Sequence, residues 1–547
     1  MSGGTPTGSV GRGFAVIAVA AAAAALMTGC GSSTGADPAA NESALPFASP
    51  PVEGNPAEHS AVTIPEGQID RAVESLDAIV DDVMAKSGVP GVSVAVVHEG
   101  DTVFLKGFGV RELGNPAPVD ENTVFQLASL SKPVGATVVS SVVSDTDVTW
   151  DDPVTKYLPT FALADPYVTE NVTLADLYSH RSGLPDHAGD LLEDLGFNQT
   201  EILTKLRLLP LEGFRSQFLY TNFGLTAAAE AVAASQGTSW ARLSAERLYE
   251  PLGMTATSSD FIAYETAENK AVTHQWIDGS YQALEVRDPQ AQSPAGGVSS
   301  TAADMAKWLT LQLDEGEWEG SALVAPEVLQ QSREPHILSS EAATAAARPG
   351  FYALGIGSGT DDTGRVRLSH SGAFNLGAST TLTLLPAEDL GIVVLTNGAP
   401  QGAPEAIAAS FLDIVETGEI SRDWQPAIKE LMDAQFGTNP SRLANEKAPA
   451  TPSPSPPLDA LSGTYSNDYY GPMQVVRRGE SLVMVLGPKS MEFPLTHWSG
   501  TTYSYEPRGE NAVGISAVTF AAPVGGESDQ VTVEFLNADG LGTFVRE

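Results

Sequence analysis

The chain has 547 residues, with 29 Lys+Arg against 68 Asp+Glu for a net charge of −39, and a single cysteine, Cys30. So acidic a surface repels nucleic acid and anionic lipid headgroups, which excludes nucleic-acid partners. One cysteine excludes an intramolecular disulfide. The acidity suits a saline habitat and an exported soluble protein alike.

The N-terminal stretch carries one charge, Arg12, followed at 14–27 by an apolar run too short to span a bilayer comfortably. Thr28-Gly29-Cys30 follows, and small residues just before a cysteine look like a bacterial lipoprotein cleavage box. Residues 1–30 are expected to be a signal peptide ending in a lipid-attachment site at Cys30, with an uncleaved membrane anchor or an ordinary secretion signal as the alternatives. The protein is then expected to be exported and held at the cell envelope by that lipid, on the outer side of the cytoplasmic membrane or in a periplasm. Residues 31–65, rich in Ser, Ala, Pro, Glu and Asn, read as a flexible tether.

A first folded domain is predicted over 66–420. Ile69, Val73, Leu76, Val80, Val83 and Met84 recur every three or four residues, a helix closed by Gly88. Residues 92–97 and 102–105 form a hairpin around Glu99-Gly100-Asp101. Residues 125–128 make a short buried approach to Ser129-Leu130-Ser131-Lys132, and 134–143 continue as an apolar helix. Pro133 fits only the first turn of that helix, so Ser129 stands at a helix N-terminus. Tyr220-Thr221-Asn222 sits in a turn before a helix over 225–234, and His370-Ser371-Gly372 ends the strand 366–369. A second hairpin, 380–385 with 392–396, precedes a helix over 404–416. Strands at both ends with helices between predict one antiparallel sheet.

Residues 421–457 read as a connector, with a stiff Pro/Ser-rich spacer at 447–457. From 458 to 547 the pattern changes to short strands with glycine turns, at 473–476, 481–486, 501–505, 517–520 and 530–535. This predicts a small all-β domain. Its aromatics, Tyr465, Tyr469, Tyr470, Trp498, Tyr503 and Tyr505, are expected to pack a core rather than line a ligand groove.

The three short motifs supply the parts of an acyl-transfer site. A serine hydroxyl needs a base to take its proton, a donor for the leaving group, and N–H groups aimed at the developing oxyanion. Residues three apart share a helix face, so Lys132 lies beside Ser129. Taken singly, Ser-x-x-Lys reads as a solvated helix face, Tyr-x-Asn as a loop, and His370 as a structural residue at a strand end. All three, in order and each on a suitable element, point to one shared site. No Gly-x-Ser-x-Gly elbow and no His-Glu-x-x-His occurs, which speaks against an α/β-hydrolase and a helix-borne zinc site. His180 and His187 read as loop-packing residues.

With these motifs the chain resembles the serine β-lactamase and penicillin-binding-protein superfamily, in the branch of class C β-lactamase-like esterases and D-amino-acid peptidases. Trp150-Asp151-Asp152-Pro153-Val154, His180-Arg181-Ser182-Gly183-Leu184-Pro185, Pro251-Leu252-Gly253-Met254 and Pro294-Ala295-Gly296-Gly297-Val298 extend the resemblance over about 66–418. It implies an α+β fold, an antiparallel sheet flanked by helices beside an all-helical lobe, with the site at their junction. The end domain resembles a small lipocalin-like barrel.

The resemblance also implies that Ser129 is acylated, that Lys132 and Tyr220 exchange its protons, and that Asn222 holds the substrate's amide or ester. Which of Lys132 and Tyr220 acts first stays open. The backbone N–H groups of Ser129 and Ala373 would form the oxyanion hole, and His370, Ser371 and Gly372 would bind substrate. True β-lactamases usually carry a lysine at the place of His370. A histidine, with an ordinary pKa of about 6.5, anchors a carboxylate less well. The expected activity is hydrolysis of an ester, amide or small peptide, without metal or organic cofactor. A strict β-lactamase and a non-catalytic binding scaffold are the alternatives.

Overall fold

Strand β1 (Gly91–His98) forms the axis of the catalytic domain, buried along nearly its whole length. The computed structural model describes residue 60 and residues 62–547 except 438 and 513, so the signal segment, Cys30 and most of the tether lie outside the described residues. Side chains of β1 alternate between two hydrophobic clusters. Val92, Val94 and Val96 enter one, Ala95 and Val97 the other. Strand β9 (Leu390–Thr396) does the same with Ile392 and Val394 against Val393 and Leu395. A one-residue slip in their register would exchange the two faces, so both faces fix the pairing.

The sheet has nine antiparallel strands. Around β1 and β9 stand β2 (Asp101–Glu112), β3 (Asn115–Pro118), β4 (Ile337–Ser340), β5 (Gly350–Tyr352), β6 (Gly357–Thr360), β7 (Val366–Phe374) and β8 (Ala378–Leu385). Their order is β4-β5-β6-β7-β8-β9-β1-β2-β3, so N- and C-terminal sequence meet at β9 and β1. This is the predicted sheet assembled from distant segments.

Helix α1 (Gln68–Ser87) buries Ala72, Leu76, Ile79, Val80 and Val83. Gly88 ends it at φ 73°, its N–H donating to the Met84 carbonyl. With α5 (Ala403–Thr417) and α6 (Trp424–Phe436) it covers one face of the sheet. The other face packs on α2 (Ser131–Asp145), α3 (Asn222–Ser235) and α4 (Ala302–Leu313) within the larger apolar cluster.

Helix α6 lies within 421–457, the stretch read as a connector. Trp424, Ile428 and Met432 recur at helical spacing and are buried, with the Trp424 indole N–H donating to Asp413. After the exposed Pro/Ser-rich stretch, eight strands close into a barrel. Three of them, Gly463–Asn467, Met491–Ser499 and Thr543–Arg546, were not expected from sequence. Pro494 argues locally against the second, yet it pairs opposite Val483 within the closed barrel. Conversely, the strand expected over 530–535 stops at Val533 and passes into a one-turn helix.

The barrel core is continuous with the catalytic domain. Tyr465, Met473, Val518 and Phe544 belong to the same apolar cluster as Leu192, Leu195 and Phe223 of the helical lobe.

Candidate active site

Ser129 lies in a single 3-10 turn, 128–130, that runs directly into α2. The preceding residue, Ala128, adopts φ 48°, a left-handed conformation disfavoured for a side chain with a Cβ. Neighbours hold that strain in place. The Leu127 carbonyl accepts from Thr380 Oγ1 at 2.7 Å, and Ser131 Oγ donates to the Ala128 carbonyl at 2.7 Å. Ser131 Oγ also accepts from the Val298 N–H at 2.9 Å.

Lys132, one turn on, has no solvent exposure. Its Nζ stands 3.1 Å from Ser129 Oγ, 2.8 Å from Asn222 Oδ1 and 3.0 Å from the Ala295 carbonyl. Burial pushes this amine well below the ordinary lysine pKa; Asp190 opposes the shift and Arg287 adds to it. The Tyr220 hydroxyl donates to Ser129 Oγ at 2.8 Å. Burial raises its pKa, so it stays a phenol across the working range.

The turn carrying Tyr220 is fixed by its backbone. The Tyr220 N–H donates to Asp186 at 2.7 Å and the Thr221 N–H to His180 Nδ1 at 3.1 Å. Asn222 then opens α3 and donates from Nδ2 to Asp190 Oδ2 at 2.9 Å, which fixes its Oδ1 toward Lys132. Asp190 also holds His187 Nδ1 at 2.7 Å. Burial lowers the His187 pKa, but Asp190 and Asp186 outweigh it and the net shift is upward.

Strand β7 closes the site from the other side. A cleft of about 240 Å3 has Ser129, Tyr220, Asn222, Ser371 and Ala373 in its wall. His370, expected to contact substrate, is not among the residues that line it and is 1% exposed. Its Nδ1 is 2.7 Å from the Ser371 carbonyl and its Nε2 2.8 Å from the Tyr352 hydroxyl. These partners require a proton on Nδ1 and a hydroxyl donating to Nε2, the neutral tautomer. Burial, with Lys132 nearby, pushes its pKa down to about 3. Its ring supports the site from within, packing edge-on against Tyr352, which in turn leans on His180 and so on Tyr220.

Sequence reasoning missed several neighbours. His180 and His187 are packed against Tyr220 rather than serving a loop alone. Asp190, Tyr352 and Arg287 had no local signature at all. Tyr469 and Tyr470 of the barrel are buried, as expected, and they also line the cleft. Among the described residues no group of three or more His, Cys, Asp or Glu is arranged to hold a metal ion.

The fold is the β-lactamase/transpeptidase-like one, a sheet flanked by helices with a closed β-barrel after it. Residues 76–415 match the family model described as Beta-lactamase, and the chain belongs to that family of serine hydrolases. Residues 447–542 match a model described as a domain of unknown function, DUF3471. Among similar proteins is unguisins hydrolase ungD of Aspergillus violaceofuscus, 25% identical over 432 residues, covering 71% of this chain and 74% of the relative. D-alanyl-D-alanine-carboxypeptidase/endopeptidase AmpH of Escherichia coli is 26% identical over 270 residues, 48% of this chain and 67% of that protein. The octameric penicillin-binding protein homologue from Pyrococcus abyssi shares the fold with a TM-score of 0.57 at 18% identity, over 87% of this chain and all of that one.

Proposed function

We propose that the protein hydrolyses a neutral ester, amide or small peptide through an acyl-enzyme on Ser129. The observation that carries this reading is the placement of Ser129 Oγ in the wall of the cleft, between Lys132 Nζ at 3.1 Å and the Tyr220 hydroxyl at 2.8 Å. Lys132, its pKa depressed by burial, is the first base, because a phenol whose pKa is raised is a poor proton acceptor. The amine takes the Ser129 proton, Oγ bonds to the substrate carbonyl carbon, and the oxyanion is held by the N–H groups of Ser129 and Ala373. As the carbonyl re-forms and its bond to the leaving group breaks, Tyr220 passes its proton to the departing atom, and the Lys132 ammonium replaces that proton. Water, deprotonated through the same pair, then bonds to the acyl carbon, the bond to Ser129 Oγ breaks as Oγ regains a proton, and the acid is freed.

The charge of the cleft supports a neutral substrate over a β-lactam carboxylate. Asp186, Asp190, Glu510 and Asp539 line it, and its one permanent cation among the described residues, Arg287, already faces Glu193 at 2.6 Å and Glu510 at 3.4 Å. Neutral, inward-facing His370 adds no positive charge. The test is the ratio of kcat/KM for p-nitrophenyl butyrate to that for a cephalosporin. A ratio well above one supports the reading, and a ratio below one makes the protein a β-lactamase.

The Thr28-Gly29-Cys30 box and the apolar run before it support export and lipid attachment at Cys30. Mass spectrometry of the membrane fraction tests this. A diacylated cysteine at the new N-terminus is expected; a chain that keeps residues 1–29 and a free thiol would contradict it.

A further inference from the structure

The cleft has a second wall that comes from the C-terminal barrel. Tyr469, Tyr470, Glu510 and Asn511 line it together with Ser129 and Asn222, from which they are far removed in sequence. The connection between the barrel strands Thr502–Tyr505 and Ser516–Phe520 carries Gly509, Glu510 and Asn511 into the catalytic domain.

This contact is built to close tolerance. Glu510 is 7% exposed and grips the turn between β7 and β8. Its Oε1 accepts from the Asn375 N–H at 2.6 Å, its Oε2 from the Leu376 N–H at 3.2 Å, and its carbonyl from Asn375 Nδ2 at 3.1 Å. From the helical lobe, Asp194 accepts the Glu510 N–H at 2.9 Å, the Asn511 N–H at 3.0 Å and Asn511 Nδ2 at 2.9 Å. Gly509 has φ 107°, and a Cβ there would lie 2.5 Å from Asp194 Oδ1, so only glycine admits the approach. Arg287 completes the wall, stacked 4.2 Å over Phe374.

These bonds reach the reacting atoms by two short routes. The β7–β8 turn begins two residues after Ala373, and the short helix that ends at Asp194 begins at Asp190, the residue that orients Asn222. We infer that this barrel connection is the specificity wall of the active site, and that Glu510 sets how long a substrate substituent the cleft admits. The domain matched only as one of unknown function thereby gains a task in substrate selection. The inference rests on the serine-hydrolase reading.

The experiment compares kcat/KM across p-nitrophenyl esters from acetate to octanoate, and across acetate esters of larger alcohols, in full-length wild type, Glu510→Ala and Asn511→Ala. Peptide mapping of the wild type after fluorophosphonate treatment reads the hydrolase assignment independently, through labelling of Ser129. The wild-type rate is expected to fall with substituent length in at least one series. In Glu510→Ala the ratio of the longest to the shortest member should rise by about tenfold or more, the scale of a methylene admitted to or refused by a pocket. Asn511→Ala, which loses one side-chain bond, should shift the same ratio in the same direction and remains informative if Glu510→Ala does not fold. A flat wild-type profile in both series, or ratios unchanged in the folded variants, overturns the inference while leaving a labelled Ser129 intact.

Discussion

A Cβ on Gly372 would lie 2.8 Å from the backbone nitrogen of Ser129. It would also stand 2.4 Å from the Leu127 carbonyl oxygen and 2.6 Å from Thr380 Oγ1. No real Cβ tolerates such contacts, so β7 reaches the nucleophile turn only because position 372 is glycine. Gly372→Ala must push the strand and the Ser129 turn apart, moving the N–H groups of Ser129 and Ala373 relative to each other. The expected loss in kcat is about a hundred- to a thousandfold, the scale of a lost oxyanion donor. Steady-state kinetics on a p-nitrophenyl ester checks it; a variant within threefold of wild type would detach the oxyanion hole from this strand.

Tyr220→Phe keeps the ring against His180 and removes only the hydroxyl that reaches Ser129. An alkoxide or amine leaving group needs a proton, whereas p-nitrophenolate leaves without one. The variant is therefore expected to lose about a hundred- to ten-thousandfold on an alkyl ester or amide and much less on a p-nitrophenyl ester. Equal losses on both substrates would mean that Tyr220 does not protonate the leaving group.

Asp190 raises the Lys132 pKa against the depression caused by burial. The neutral amine is the active form, so activity is present above the Lys132 pKa and is lost as pH falls through it. Removing the carboxylate in Asp190→Asn lowers that pKa further and moves the acid limb of kcat/KM to lower pH. A limb that stays in place or moves to higher pH would argue against Lys132 as the base.

How far sequence alone reaches is plain at these same positions. Ser129, Lys132, Tyr220 and Asn222 were legible because each pair lies within three residues and each sits on a turn or first helical turn that local residues dictate. The central strands were legible because their side chains serve two buried faces. Asp190, Tyr352 and Arg287 are ordinary residue types that reach the site only through packing. The bond from Glu510 to Asp194 spans 316 residues, a separation no local pattern encodes. Helix α6 was hidden by its place beside a Pro/Ser-rich stretch, and the burial of His370 behind the cleft wall was not legible because a motif match does not say which way a ring turns.

Glu405 is buried beneath the third motif, and burial lifts its pKa to about 7, with its own backbone and Ser371 opposing the shift. A carboxyl whose folded pKa exceeds its unfolded value of about 4.3 stabilises the fold when protonated. That contribution is full below the unfolded pKa and is lost as pH rises through about 7. Glu405→Gln removes the titration, so the difference in Tm, variant minus wild type, should move upward between pH 5 and pH 8. Scanning calorimetry at both pH values checks this; a difference that is constant or moves downward would place Glu405 in a different environment.

The central claim is that Ser129 is the residue acylated. Intact-mass spectrometry of wild type and Ser129→Ala after exposure to a fluorophosphonate, with peptide mapping of any adduct, addresses it most directly. The account predicts one phosphonyl group per wild-type chain, on Ser129, and none on the alanine variant. Stoichiometric labelling of Ser129→Ala at another residue lining the cleft, with turnover retained, would contradict it.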